Sequence, residues 1–397
     1  MFFKNNNHKL KDEIIFLGKQ SYGNLGAYDY EYLLNLRKFS SEFKITFFHS
    51  YLYDQNKVDD IEYINIFKYN KKNFFFKSFS YINSLIKIAK YVLINNPKYL
   101  HTQWFLLPFF DFLWIKMIRF FGWKGCLIQT VHNARSRYNF ISRFFIKLCL
   151  KEIDSLIVHS PKCKTYLREK YNFLKNISIY VGRVGVLKMV MNSNFSFKEE
   201  KIFNQIFNLR KSSGFVFIHI GNVCKYKGFD LLYKSWIEFK NRARYKNNSS
   251  LIVLGKVDKN LKSKVKNLQK IDKSFLVYDS YVSVKLLSLA VENADYILLP
   301  HTYVSHSGIY TDFLGKYKPF IYNKNPLNHM TSHKPFNYTG IYFDQKERKL
   351  SDIFLDIDNK KLEFKVDKSS WDKAIDYFRW DKCFPKKLLM DLYKKNL

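Results

Sequence analysis

The chain reads as an α/β protein of two domains, each a parallel sheet covered by helices. Three observations predict this. Short apolar runs alternate with longer helical patterns almost from end to end, the mark of strands joined by helical crossovers. The 397 residues exceed what one hydrophobic core usually organises. The alternation also lapses once, in a polar segment at 191–201, and then restarts.

In chain order, the first half offers strands at residues 13–18, 44–49, 98–103, 125–131, 154–159 and 177–181, with helical stretches such as 78–95 and 140–151 between them. After the polar break come strands at 215–220, 250–254, 275–278, 296–299 and 319–322. The tail, 371–396, spaces Trp371, Ile375, Phe378, Trp380, Leu388, Leu389, Leu392 and Tyr393 as amphipathic helices do, with a break near Pro385. The expected division is a first domain at 1–195, a second at 196–370, and closing helices at 371–397.

Lys and Arg number 67 against 34 Asp and Glu, a formal net charge of +33 that draws polyanions, phosphorylated ligands or an anionic membrane surface. Part of that excess goes with the abundance of Asn, Lys, Ile, Phe and Tyr, which an AT-rich coding sequence writes at neutral positions. The five cysteines, Cys126, Cys149, Cys163, Cys224 and Cys383, are odd in number and form no C-x-x-C pair or Cys/His cluster at ligand spacing. A reducing compartment and no structural metal are expected. Residues 1–11 are polar and basic, unlike a signal peptide. The most apolar window, 104–115, is interrupted by Pro108 and Asp111 and falls short of the roughly 20 residues of a spanning helix. The expected location is cytoplasmic, soluble or peripheral on a membrane.

The strand FVFIHIG at 215–221 runs into NVCKYKGFDLL, which places Gly221, Lys225, Lys227 and Gly228 on a strand-to-helix turn. Such turns lie at the carboxyl edge of an open sheet, where a lysine can reach a diphosphate and glycines let the backbone approach it. The bland reading is an ordinary turn. A second loop follows 296–299 and carries Ser305, Ser307 and Gly308 just before a helix, where a capping Ser beside a Gly leaves amides for an anion. Its bland reading is simple capping; two such loops in one sheet favour the ligand reading.

In the first half, His132 ends the strand CLIQTV, and its near-neutral pKa suits proton transfer or a hydrogen bond to a ligand hydroxyl; the bland reading is a histidine capping a strand end. The loop GKQSYGNLG at 18–26, with Gly23 and Gly26, precedes a helix and lacks the G-x-G-x-x-G nicotinamide fingerprint. Arg135, Arg137, Arg143 and Lys147 interleave with Phe140, Phe144 and Phe145. That face suits the headgroups of a membrane or is a solvated helix surface over a phenylalanine core.

An ordered set of short motifs then resembles glycosyltransferase family 4. The matches are YLHTQW at 99–104, TVHN at 130–133, IDSLIVHS at 153–160, GNVCKYKG at 221–228, YVSVKL at 281–286, Ala294 with Asp295, Ser307 with Gly308, and GKYKPFI at 315–321; the W…K…LY pattern of 378–393 resembles the family's closing helix. The resemblance implies the GT-B architecture: two Rossmann-like domains facing across a cleft, with a C-terminal helix crossing back to the first.

It further implies a nucleotide-sugar donor, with Lys227 on the diphosphate, the amides of Ser305, Ser307 and Gly308 beside it, and Tyr281 and Val282 near the base. Gly221 lines the same turn. Asn222 stands where many members have Arg, so Lys225 would share the phosphate work. Val304 replaces the first Glu of the family's acidic pair, and Asp312, in the place of the second, would hold the ribose. His132 would serve the chemical step, and Gly23, Gly26, Asn133 and Arg135 would lie on the acceptor side. No metal and no cofactor is implied. The expected reaction is hexosyl transfer to a glycan or an undecaprenyl-type lipid-linked acceptor of surface polysaccharide synthesis, at the inner face of the plasma membrane, with no nucleic-acid partner. A GT-B-shaped epimerase would need a cluster of catalytic carboxylates and histidines that the sequence does not display. A non-catalytic sugar-nucleotide-binding subunit would retain the same phosphate loops, and Asn222 and Val304 are the residues that speak for it.

Overall fold

The computed structural model describes residues 10–20, 24–50, 57–68, 74–103, 105–133, 139–186, 195–243, 248–325 and 327–394. The chain divides into two compact units, one of residues 1–187 with 380–397 and one of 188–379.

In the first unit, β1 (Lys11–Gly18), β2 (Lys44–His49), β3 (Ile61–Asn65), β4 (Pro97–Thr102), β5 (Cys126–Val131), β6 (Ser155–Val158) and β7 (Ser178–Val181) form one parallel sheet in the order β3-β2-β1-β4-β5-β6-β7. Its strand order reverses between β1 and β4. The crossovers are α1 (Asn24–Arg37), α2 (Phe74–Asn95), α3 (Pro108–Phe120), α4 (Phe140–Lys151) and α5 (Pro161–Lys170). Helices α2, α3 and α4 share a core on one face of the sheet, where Leu85, Ile88, Trp114, Ile115, Ile118, Cys149 and Leu150 meet Leu17, Leu100 and Leu127. Tyr32 of α1 stacks on Phe16 of β1, at 5.3 Å between ring centroids.

The second unit repeats the plan with β8 (Val216–Ile220), β9 (Ser250–Leu254), β10 (Phe275–Tyr278), β11 (Tyr296–Leu299), β12 (Phe320–Asn323) and β13 (Gly340–Phe343), all parallel in the order β10-β9-β8-β11-β12-β13. Its helices are α6 (Phe197–Ser212), α7 (Phe229–Arg242), α8 (Lys262–Ile271), α9 (Val284–Glu292), α10 (Gly308–Phe313), α11 (Leu350–Asp358) and α12 (Lys368–Tyr377). Helix α6 opens on a capping box, Ser196 and Glu199 satisfying each other's backbone N–H. Trp236, Phe239 and Phe354 pack together against the sheet, Trp236 and Phe354 edge to face and Phe239 tilted against both.

Two strands, β3 and β13, stand outside the sequence expectation. Both are edge strands, and neither is buried along its whole length: β3 is at best half-buried and β13 alternates with more exposed positions. Glu62 and Asn65 interrupt the apolar run of β3, whereas β13 is a short apolar stretch, GIYF, whose place at the edge comes from its pairing with β12. The tail also divides later than position 371. Trp371 is fully buried in the second unit, donating its indole N–H to the Leu314 carbonyl at 2.5 Å, so α12 belongs there. The returning segment is α13 (Trp380–Cys383) and α14 (Lys386–Lys394). It docks on the first unit through Trp380 Nε1 to the Val186 carbonyl (3.0 Å), Asn35 Nδ2 to the Phe384 carbonyl (2.7 Å) and the Tyr32–Tyr393 hydroxyl pair (3.0 Å). At Gly182 a Cβ would overlap the Phe384 ring, so the bare backbone lets the tail approach. No helix among the described residues is long and apolar enough to cross a membrane.

Candidate functional site

The order of the second sheet reverses between β8 and β11, and ligands of open α/β sheets bind outside the carboxyl ends of the strands at such a point. The loops there are laced together. Gly221, at φ +98°, ends β8 and donates to Leu254 O of β9 at 2.8 Å. Gly228 has φ +80°, and a Cβ there would run into the Pro300 carbonyl. Thr302 donates through both its backbone N–H and its hydroxyl to Tyr226 O, each at 3.0 Å. Val223 N–H reaches Lys256 O at 2.8 Å, and Val257 N–H reaches the Asp279 carboxylate at 2.7 Å. Loops from four neighbouring strands thus form one rim.

Lys225, Tyr226 and Lys227 make a single turn of 3₁₀ helix on that rim. Lys227 folds back so that a Cβ at Gly221 would overlap its ammonium group, which puts the cation at the carboxyl end of β8. The buried His219 beneath it is held neutral, its pKa pulled to about 3 first by burial and then by the Lys227 charge. Asn222 and Lys225 are exposed on the same turn. The chain so places a cation and a glycine-lined backbone at the sheet edge where ligands of open α/β sheets bind.

The other expected donor residues take up varied positions. Tyr281 stands exposed on the loop before α9, while Val282 is buried and Ser283 caps the helix. Ser305 is fully buried with its hydroxyl 3.4 Å from the Tyr303 hydroxyl. Ser307 occupies the N-cap of α10 without a side-chain capping bond, and Gly308 is the first helical residue. Asp312 is half-buried on the same helix. Val304 bridges to Asn328 and accepts from His329 N–H at 2.9 Å, a backbone role only.

In the first unit His132 leaves β5 fully enclosed. Its Nε2 lies 2.6 Å from Gln103 Oε1, and its Nδ1 lies 3.1 Å from Nε2 of His159. His159 Nδ1 donates to the Gly182 carbonyl at 2.7 Å, and Gln103 Nε2 donates to the Asp29 carboxylate. The Asp29 contact orients the Gln103 amide, so each end of the histidine pair faces an oxygen that only accepts. Burial pulls the pKa of His159 down to about 4, against the smaller opposing pull of its hydrogen bond to the Gly182 carbonyl. The edge of Tyr28 packs against the His132 ring at 4.9 Å.

Gly26 is buried inside α1 and Asn133 is half-buried directly after His132. Gly23, Arg135 and Arg137 lie outside the described residues. Lys19, in the same early loop as Gly23, turns inward: it pairs with Asp111 at 2.7 Å and both side chains are fully buried. Sequence reasoning missed Asp29, Gln103 and His159 as partners of His132. Gln103 and His159 stood within YLHTQW and IDSLIVHS, but the strand pairing that joins them to β5 is tertiary.

The sequence matches no protein-family model and no curated protein. Solved structures do match over nearly the whole length. Sucrose-phosphate synthase from Thermosynechococcus elongatus shares 13% identity, with 96% of this chain and 98% of that chain covered at a TM-score of 0.67. A glycosyltransferase from Rickettsia africae shares 16% over 97% and 98% at 0.63. HepE of Anabaena, solved with UDP and glucose, shares 13% over 94% and 96% at 0.62. The architecture is the GT-B fold.

Proposed function

We propose that this chain is a glycosyltransferase that moves a hexosyl group from a nucleoside-diphosphate sugar to a glycan or lipid-linked oligosaccharide acceptor, in the assembly of a surface polysaccharide. The observation that carries this reading is the Lys227 ammonium folded over Gly221 at the reversal point of the second sheet. A departing nucleoside diphosphate gathers negative charge, so a cation and backbone amides already in place stabilise the transition state more than the ground state. On this reading Lys227 holds the diphosphate, Lys225 and Asn222 assist, and the amides of Ser307 and Gly308 lie alongside. Tyr281 and Val282 border the base and Asp312 the ribose. These groups meet the leaving-group charge without calling on a divalent cation.

The solved relatives support the reading through HepE, which was crystallised with UDP and glucose, and through the synthases and transferases that share the fold. In the first unit, His132 would serve the chemical step, as general base toward the acceptor hydroxyl or as a hydrogen-bond partner of the donor sugar, and Asn133 and Gly26 would lie on the acceptor side. A thermal-shift panel of GDP, UDP, dTDP and CMP tests the donor assignment, because a ligand that binds only the native state raises its apparent stability. One nucleoside diphosphate should raise the melting temperature in a dose-dependent way; a flat response to all four would overturn the reading.

A further inference from the structure

Helices α2, α3 and α4 lie side by side on one face of the first sheet, and each leaves the carboxyl end of a parallel strand. Their first turns therefore gather at the same edge of the sheet, the edge at which His132 leaves β5. Those turns are lined with solvent-exposed aromatic residues. Phe75, Phe76 and Phe79 of α2 are 79%, 65% and 73% exposed, and Phe140 of α4 is 79% exposed. Phe109, Phe110 and Phe144 belong to the same belt. Contact between α3 and α4 is direct: the rings of Phe109 and Phe145 lie 4.9 Å apart and those of Phe112 and Phe145 6.2 Å apart. Exposed phenylalanines in such number mark a surface that is covered in use.

Charge says what covers it. Across α2, α3 and α4 the sole acidic residue is Asp111, and it is buried against Lys19. Lys77, Lys87, Lys90, Arg143 and Lys147 stand exposed on the same three helices, while Lys116 is paired with Glu152 just past α4. A two-fold dimer through this belt would set the basic patch against itself, which is repulsive. An anionic lipid surface answers both features, since phenylalanines enter the boundary between headgroups and acyl chains while lysines and arginines meet the phosphates. We propose that the belt formed by the first turns of α2, α3 and α4 seats the first unit on an anionic bilayer. The protein then rests on the membrane with the His132 edge toward it, where a lipid-linked acceptor would be presented. Only that last consequence rests on the proposed glycosyl transfer; the lipid contact stands on its own.

The test is co-sedimentation of the full chain with vesicles of phosphatidylcholine alone and of phosphatidylcholine mixed with phosphatidylglycerol. The wild type should partition onto the phosphatidylglycerol vesicles, weakly onto the others, and be released by salt. A variant with Phe75→Ser, Phe79→Ser, Phe140→Ser and Phe144→Ser should partition about tenfold less or weaker still, given the apolar area removed. Arg143→Gln with Lys147→Gln should lose the preference for phosphatidylglycerol. These side chains are exposed, so the melting temperature and the nucleotide-induced shift should stay at wild-type values, which separates this proposal from the donor assignment. Equal partition of the Phe variant and the wild type would overturn the proposal. So would a wild type that binds neither vesicle, or one whose self-association, and no lipid binding, disappears in the Phe variant.

Discussion

His132 Nδ1 faces His159 Nε2 at 3.1 Å, and the two rings join a buried chain running from the Gly182 carbonyl to the Asp29 carboxylate through Gln103. The pair is therefore a unit whose protonation is decided by its neighbours, and mutations along the chain separate chemistry from support.

Replacing His132 with Ala should lower kcat by about 10²–10⁴, the range for losing an acid–base group, and leave nucleotide affinity nearly unchanged. His132→Gln keeps a hydrogen-bond donor but cannot hold a proton at neutral pH. Rescue by Gln identifies a hydrogen-bonding role, whereas equal loss in both variants identifies proton transfer. Wild-type turnover with a lowered melting temperature would make the residue purely structural.

Asp29→Asn removes the negative charge at the Gln103 end of the chain, which should lower the proton affinity of the histidine pair. If the protonated pair is the working form, activity falls as pH rises, and the variant's falling limb moves to lower pH. A rate that instead rises with pH, with its rising limb moved down in the variant, would assign His132 the role of base. The pH–rate profiles of kcat for the two proteins decide.

Lys227→Ala should weaken nucleoside-diphosphate binding about ten- to a hundredfold, in line with a charge-assisted contact of about 1.5–3 kcal/mol. Gly221→Ala should produce a comparable loss by a different route, because its φ of +98° disfavours a side chain and the new Cβ would displace the Lys227 ammonium. Titration calorimetry reads both, and wild-type affinity in the two variants would remove Lys227 from the donor site.

Acid should destabilise the fold before the carboxylates titrate. Burial holds the pKa of His101 at about 3 and that of His159 at about 4, both below the roughly 6.5 of an unfolded chain. The unfolded state therefore binds protons first as pH falls. The stability contributed by these neutral histidines is complete above about pH 6.5 and is lost progressively toward pH 4. Urea midpoints measured across that range should decline, and His101→Gln should decline less steeply. A flat profile from pH 7 to about 5 would contradict the buried, neutral assignment.

The sequence by itself determined the alternation of strand and helix, the two-sheet α/β plan and the Gly221–Gly228 turn. Each of these rests on local chemistry: central strands are apolar throughout, and turns demand glycine where φ is positive. It also carried the motif residues His132 and Lys227. Tertiary structure decided what those residues meet. Edge strand β3 carries an apolar signal broken by Glu62 and Asn65, and it and β13 take their places from pairing with β2 and β12. Trp371 and Trp380, similar in sequence context, bury themselves in different units because different partners, the Leu314 and Val186 carbonyls, accept their indole protons. Asp29, Gln103, His132 and His159 are scattered along 131 positions and converge only because β4, β5 and β6 lie side by side, with α1, which follows the neighbouring β1, carrying Asp29 to Gln103. Hydrogen bonds act over about 3 Å, so which charge balances which proton is a property of the packed sheet rather than of the order of residues along the chain.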